Sequence, residues 1–158
     1  MQDESITEIL SKTEIAHGLG RADLNLVLAH SQVKTANPGE VVIAEGDPGE
    51  AGYVVLEGQL KVMLLAGGHP NRNADISMNT LRPGDCLGEY ALIDSRPHSA
   101  TVIAEQPSKL LELTRTTLVR FDSTHDRIAK VIYRNVLQIL TRRLRKKDRE
   151  LDFEWDIE

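Results

Sequence analysis

The chain has 158 residues, 41% of them hydrophobic and 27% charged, which is ordinary for one globular domain with its own core. Its net charge of −5 disfavours a general nucleic-acid binder, and its one cysteine, Cys86, excludes a disulfide framework. The first ten residues lack the basic and apolar regions of a signal peptide, and no apolar run is long enough to span a membrane. These features predict a cytoplasmic protein.

Residues 1–32 are predicted to form short N-terminal helices. Apolar residues recur at helical spacing in two groups, which Gly18 and Gly20 separate. The groups are Ile6, Ile9 and Leu10, then Leu19, Leu24, Val27 and Leu28.

Residues 33–121 have a different pattern, in which short β-branched runs alternate with turns rich in Gly, Pro and Asn. This pattern is typical of a jelly-roll-like barrel, or β-roll, and about eight strands are expected. Strands are predicted at residues 41–43, 53–57, 60–64, 76–81, 101–104 and 109–114. The fold class is therefore α+β, with the helices at the two ends of the chain.

Residues 122–151 are predicted to form one long helix, with a capping box in which Asp126 follows Ser123 by three positions. The helix carries two apolar stripes. One comprises Ile128, Ile132, Val136 and Ile139; the other comprises Tyr133, Leu137, Leu140, Leu144 and Leu151, at nearly heptad spacing. The first stripe suits the domain's own core and the second suits a second copy, which predicts a homodimer. The alternative is that both stripes pack against the N-terminal helices.

The run LGEYALIDSRPHSATV, residues 87–102, has the composition of an anion-binding loop. Gly88 permits an unusual backbone conformation or a close approach, and Glu89 beside it is an acceptor for a hydroxyl group. Residues 90–93 suit one short helical turn, whose first N–H groups are free to meet an anion. Ser99 and Thr101 supply hydroxyl groups that could reach phosphate oxygens.

This run resembles the phosphate-binding cassette of cyclic nucleotide-binding domains, such as those of the catabolite activator and of protein kinase A regulatory subunits. A second run, EGDPGEAGYVVLEG at residues 45–58, resembles another signature of that family, so the resemblance extends over roughly residues 20–150. It implies that Glu89 holds a ribose 2′-hydroxyl and that the cassette meets a cyclic phosphate. The implied ligand-binding residues are Gly88, Glu89, Tyr90, Ala91, His98, Ser99, Ala100 and Thr101.

The chain departs from the family at two positions. His98 stands where the family usually has the arginine that meets the phosphate, and a charge-assisted bond of that kind contributes about 1.5–3 kcal/mol. Either Arg96 substitutes for this cation, or the site favours a nucleoside or binds cyclic nucleotides weakly, or it is vestigial. Gly52 replaces a large apolar residue, which predicts a loose spot in the β-roll. Gly46, Gly49 and Gly58 are expected to have positive φ in tight turns.

No catalytic constellation and no metal-ligand spacing is present, so the chain is predicted not to be an enzyme and to need no cofactor. The expected ligand is cAMP, cGMP or a nucleoside. The basic cluster at residues 142–149 is interpreted as a solvated helix end, and an acidic tail, residues 152–158, follows it, so DNA binding is not expected.

Only seven residues follow Leu151, which is too short for a DNA-reading domain. The sequence therefore predicts a stand-alone sensor that signals to an unknown protein partner or to its second subunit. Two alternatives stay open: a ligand-independent dimeric scaffold, and a relative of transcription regulators that lacks their DNA-binding domain.

Overall fold

The computed structural model describes the backbone of residues 3–155 and the side chains of residues 5–151. Two short helices, α1 (Asp3–Ser11) and α2 (Arg21–Ala29), precede eight strands. Two further helices follow them, α3 (Arg115–Thr124) and the long α4 (Asp126–Trp155). The predicted α+β class and the order of its parts are confirmed.

The strands form two four-stranded antiparallel sheets and not a closed barrel. One sheet has the order β1-β8-β3-β6 and the other has the order β2-β7-β4-β5. The bounds are β1 Gln32–Ala36, β2 Val41–Ile43, β3 Ala51–Glu57, β4 Leu60–Leu64, β5 Ile76–Leu81, β6 Cys86–Leu87, β7 Thr101–Ala104 and β8 Ser108–Thr114. Each of the eight strands contributes a buried apolar side chain to one shared core, so the sheets pack on each other as a β-roll.

The structure differs from the prediction where the last strand leads into the C-terminal helices. The last strand ends at Thr114, whose hydroxyl accepts the N–H of Thr117 at 3.1 Å and caps α3. The strands therefore end before residue 121, the predicted end of the β-roll segment, and α3 occupies most of the interval. The predicted capping box is also wrong, because Ser123 lies within α3 and the chain breaks at His125 before α4 begins.

One stripe of α4 packs on the domain itself, as predicted. Its four members, Ile128, Ile132, Val136 and Ile139, are all buried, and the first three pack with residues of α2 and α3. Of the second stripe, Tyr133 and Leu140 are half-buried against the same core. Leu137, Leu144 and Leu151 are 59%, 61% and 54% exposed, so the outer part of this stripe faces solvent.

The glycines in and around β3 serve different purposes. Gly46 and Gly58 have φ of +90°, as expected, but Gly49 does not have positive φ. Gly49 is needed because a Cβ there would lie 2.8 Å from the Cβ of Ala91. A Cβ on Gly52 would lie 3.1 Å from the side chain of Leu92, so Leu92 fills the space where the loose spot was predicted. Both residues line an apolar cavity of only about 30 Å³ on the side of β3 that packs against the helices.

Candidate functional site

The site is organised by a sharp change of direction after β6. Gly88 has φ of +67°, and a Cβ there would lie 3.1 Å from the carbonyl oxygen of Ala51. A single 3₁₀ turn follows, Glu89–Leu92, in which the Ala91 N–H donates to the Gly88 carbonyl at 3.0 Å. This turn, named here the cassette turn, buries the side chain of Glu89 to 1% exposure and leaves Tyr90 exposed.

The buried Glu89 carboxylate is paired with Arg143, which lies on α4 and is half-exposed. This contact is an ion pair without good hydrogen-bond geometry, because Oε1 of Glu89 has no hydrogen-bond partner among the described residues. The guanidinium of Arg143 therefore lies at the oxygen that a ligand hydroxyl would need, so a ligand must displace Arg143 or share the carboxylate with it. The buried carboxylate faces α4, and the expectation that Glu89 accepts a ribose hydroxyl stays a prediction.

A cavity of about 470 Å³ lies beside Arg143, between α4, the α1–α2 turn and the segment from β5 to β6. Cavities of 300–1,000 Å³ are the usual size of small-molecule sites. The lining includes Asn79, Leu81, Cys86, Ile139, Arg142 and Arg143. Burial, and secondarily the charge of Glu89, raises the pKa of the Cys86 thiol to about 12, so this thiol stays protonated.

His98 is half-buried at the end of the cassette nearest the β2–β3 turn. Its N–H donates to the carbonyl of Asp47 and its carbonyl accepts the N–H of Gly46, both at 2.9 Å. The imidazole lines a small cavity of about 150 Å³ together with Asp47 and Glu50. The lining residues at this end thus include two acids and no Lys or Arg, which makes it a poor site for a phosphate unless a cation is supplied.

The rest of the predicted cassette residues have separate surroundings. Ser99 is exposed, Ala100 is half-buried, and Ala91 is buried against Gly49. Thr101 is buried, and its hydroxyl oxygen accepts the N–H of Glu45 at 3.1 Å. Of the predicted cassette residues, Glu89, Ala91 and Thr101 are therefore buried in the protein. Tyr90 and Ser99 are exposed to solvent.

The proposed substitute cation, Arg96, is not brought to the site. Its side chain is 88% exposed and lies 3.7 Å from the carboxylate of Asp94. A different arginine, Arg72 from the loop between β4 and β5, is paired with Glu45 at 2.8 Å and is largely buried. Arg143 is the cation beside Glu89 that the sequence analysis did not assign to the site, and its position depends on a contact distant in sequence.

The fold and the site together define a β-roll domain that buries a carboxylate paired with Arg143 of α4, and Arg143 also lines a cavity of small-molecule size. Within residues 3–155, no helix combines the length and the apolar character needed to cross a membrane. In the same part of the chain, no group of three or more His, Cys, Asp or Glu residues is arranged to hold a metal ion.

Comparison with known proteins assigns this class to a family. The family model described as "Cyclic nucleotide-binding domain" matches residues 33–125. The chain is 30% identical to the cyclic AMP receptor protein of Thermus thermophilus over 136 residues, which are 86% of this chain and 59% of that protein. It is 31% identical to the cAMP-dependent protein kinase regulatory subunit of Yarrowia lipolytica over 128 residues, 80% of this chain and 32% of that protein.

A solved structure gives the same result. A cyclic nucleotide-binding domain from Methylobacillus flagellatus superposes with a TM-score of 0.79 at 26% identity, over 95% of this chain and 83% of that one. The chain belongs to the cyclic nucleotide-binding domain family. It spans 59% and 32% of the lengths of the two curated relatives described above.

Proposed function

We propose that this protein is a regulatory sensor that binds a ribose-containing ligand, a cyclic nucleotide or a nucleoside, through Glu89. The observation that carries the proposal is the buried Glu89 carboxylate, whose Oε1 makes an ion pair with Arg143 but no hydrogen bond, while Arg143 also lines the 470 Å³ cavity. A ribose hydroxyl would supply the hydrogen bond that the ion pair does not provide. The names of the relatives, a cyclic AMP receptor and a cAMP-dependent kinase subunit, support a nucleotide as the ligand.

The phosphate is expected to contribute less here than in a site with the family's arginine. His98 shares its cavity with Asp47 and Glu50, and Arg96 faces solvent. Cyclic AMP should therefore bind less than about tenfold more tightly than adenosine, since the charge-assisted bond that separates the two is missing.

Binding is expected to move α4, because Glu89 is held by Arg143 before a ligand arrives. A ligand hydroxyl that takes over the carboxylate weakens its contact with α4 and shifts the balance between two positions of that helix. The exposed leucines of α4 would then pass the change to a second copy or to a protein partner. This role is regulatory, and no step of it requires catalysis by the chain.

Isothermal titration calorimetry with cAMP, cGMP, adenosine and 2′-deoxyadenosine tests the proposal. Adenosine should bind at least tenfold more tightly than 2′-deoxyadenosine, and Glu89→Gln should reduce that ratio to near one. Glu8→Gln, an exposed carboxylate on α1, is the matched control and should change neither affinity. Equal affinity for the two nucleosides in the unmodified protein would overturn the role of Glu89.

The second candidate function is a ligand-independent dimeric module. The solvent-facing Leu137, Leu144 and Leu151 on α4 favour it, because they supply an interaction surface that does not depend on the site. A dimer that binds none of the four ligands and keeps its association unchanged in Glu89→Gln would support this function instead.

A further inference from the structure

Arg115, the first residue of α3, contacts two loops with a single nitrogen. Its Nη1 lies 2.9 Å from the carbonyl oxygen of Gly49, 3.0 Å from that of Ala91 and 2.8 Å from that of Asp94. Its own backbone N–H donates to the carbonyl of Glu50 at 2.9 Å. Because Nη1 carries two hydrogens, the three carbonyls share them, and one side chain joins the β2–β3 turn, the cassette turn and α3.

The cassette turn needs such a contact at its C-terminal end. A helical turn leaves its last carbonyl groups without partners inside the turn, and these groups carry partial negative charge. Ala91 lies within the turn and Asp94 lies two residues beyond it. Arg115 offers them a permanently charged donor, whereas the turn's own backbone bonds are few because it is one turn long.

The two loops that Arg115 joins are already in direct contact. A Cβ on Gly49 would lie 2.8 Å from the Cβ of Ala91, and the Gly49 N–H donates to the carbonyl of Arg96 at 3.3 Å. The cassette turn is thus held on one side by a close approach of backbone and on the other by the guanidinium. Loss of the guanidinium would leave three carbonyls without their charged donor.

We propose that Arg115 is a positioning residue for the ligand site. It holds the turn that carries Glu89, and it links any movement of that turn to α3, whose Phe121 packs in the same core as Ile128 of α4. Arg115 itself is not expected to touch the ligand. The effect on affinity rests on the proposed function, whereas the effect on the turn does not.

Hydrogen exchange of the ligand-free protein, followed by mass spectrometry, tests directly whether Arg115 holds the cassette turn in place. Arg115→Gln should speed exchange of peptides covering residues 88–97 by at least tenfold, while the strands of the β3–β8 pair change little. Arg115→Lys keeps a charged nitrogen but on a shorter side chain, and its exchange rate should lie between those of Arg115→Gln and the unmodified protein. Arg120→Gln, an exposed arginine on the same helix, is the control and should exchange as the unmodified protein does.

Calorimetry on the same variants gives the second readout. Arg115→Gln should weaken adenosine binding at least tenfold at a temperature well below unfolding, with partial recovery in Arg115→Lys. Exchange at residues 88–97 equal to that of Arg120→Gln, or a uniform increase over all strands, would overturn the proposal. So would a loosened turn with unchanged affinity. If the unmodified protein binds no ligand, the proposed function fails, and the exchange data alone still decide whether Arg115 holds the turn.

Discussion

Arg143 on α4 meets the buried carboxylate of Glu89, 54 residues earlier in the chain. The same carboxylate is the acceptor proposed for a ligand hydroxyl, so the position of α4 and the occupancy of the site depend on one charged group. This arrangement provides a direct physical route from the site to the helix, because any donor that replaces Arg143 at Glu89 removes a contact that holds α4 on the β-roll.

Removal of Arg143 should destabilise the protein more than removal of the Glu89 charge. Arg143→Gln leaves a buried carboxylate without its counter-ion and should cost about 1–2 kcal/mol, below the roughly 3–5 kcal/mol of a fully buried pair because the arginine is half-exposed. Adding Glu89→Gln to Arg143→Gln should restore part of that loss. Urea unfolding of the two single variants and the double variant measures the coupling, with Arg145→Gln as an exposed control on the same helix. Additive effects in the double variant would contradict the pairing.

Restoring the family's arginine at position 98 should strengthen binding of the phosphate group alone and leave binding of the nucleoside part unchanged. His98→Arg places a guanidinium beside Asp47 and Glu50 at the phosphate end of the cassette. We expect cAMP affinity to rise about tenfold to a hundredfold and adenosine affinity to stay unchanged. His17→Arg, in the turn between α1 and α2, is the control and should leave both affinities unchanged. An equal gain for cAMP and adenosine would show that the arginine acts otherwise than through the phosphate.

Local sequence patterns predicted the bounds of four strands correctly. Residues 41–43, 60–64, 76–81 and 101–104 form strands at the predicted bounds, because their turns carry clear Gly, Pro and Asn signals. Two strands were not identified. Four of the five residues of β1 are exposed, and β6 has two residues, so neither shows a readable period. The α3–α4 break was missed because Ser123 and Asp126 mimic a capping box in a place where Thr114 already caps α3.

The sequence predicted only those parts of the site that residues adjacent in the chain form. The conformation of Gly88, the short turn after it and the buried Glu89 follow from residues adjacent in sequence. Arg143 and Arg115 could not be assigned in this way, because the path of α4 over the β-roll and the approach of α3 to the cassette turn decide what these side chains meet. Arg143 stood in a basic cluster whose simplest reading was a solvated helix end.

Cys86 should react slowly with thiol reagents in the folded protein. Burial and, secondarily, the neighbouring Glu89 raise the pKa of the Cys86 thiol from an ordinary value of 9.0 to about 12, so the thiolate fraction at pH 8 falls about a thousandfold. Alkylation by iodoacetamide at pH 8 should therefore be at least a hundredfold slower in the folded protein than in urea. Glu89→Gln removes the smaller of these two causes and should speed alkylation modestly. A folded-state rate within tenfold of the unfolded rate would contradict the buried position of the thiol.

The exposed leucines of α4 should make the protein a dimer. Leu137, Leu144 and Leu151 recur every seven residues on one solvent-facing side of the helix, which is the spacing of a two-helix seam. Leu144→Glu places a charge in the middle of that seam and should give a monomer by light scattering after size exclusion. Gln138→Glu adds the same charge at an exposed position outside the stripe and should leave the dimer intact. A monomeric unmodified protein at about 100 µM would contradict this prediction.

The ion pair between Asp23 of α2 and Arg127 of α4 should make the free energy of unfolding depend on pH in the acid range. Asp23 accepts the N–H of Gly20 at 3.0 Å and is paired with Arg127, and the bond from Arg127 is the main reason that its pKa is lowered from the ordinary value. A carboxylate with a lowered pKa in the folded state stabilises the fold at pH above its unfolded value, about 3.9, and this contribution is lost as pH falls through the folded value.

Asp23→Asn should therefore lower the melting temperature by roughly 2–4 °C between pH 5 and pH 7. The difference from the unmodified protein should shrink steadily below about pH 4, as the native carboxylate is protonated. Asp148→Asn, an exposed carboxylate on α4, should show no difference at any pH. A difference for Asp23→Asn that stays constant down to pH 2.5 would show that the side chain acts through its shape and hydrogen bonds and not through its charge.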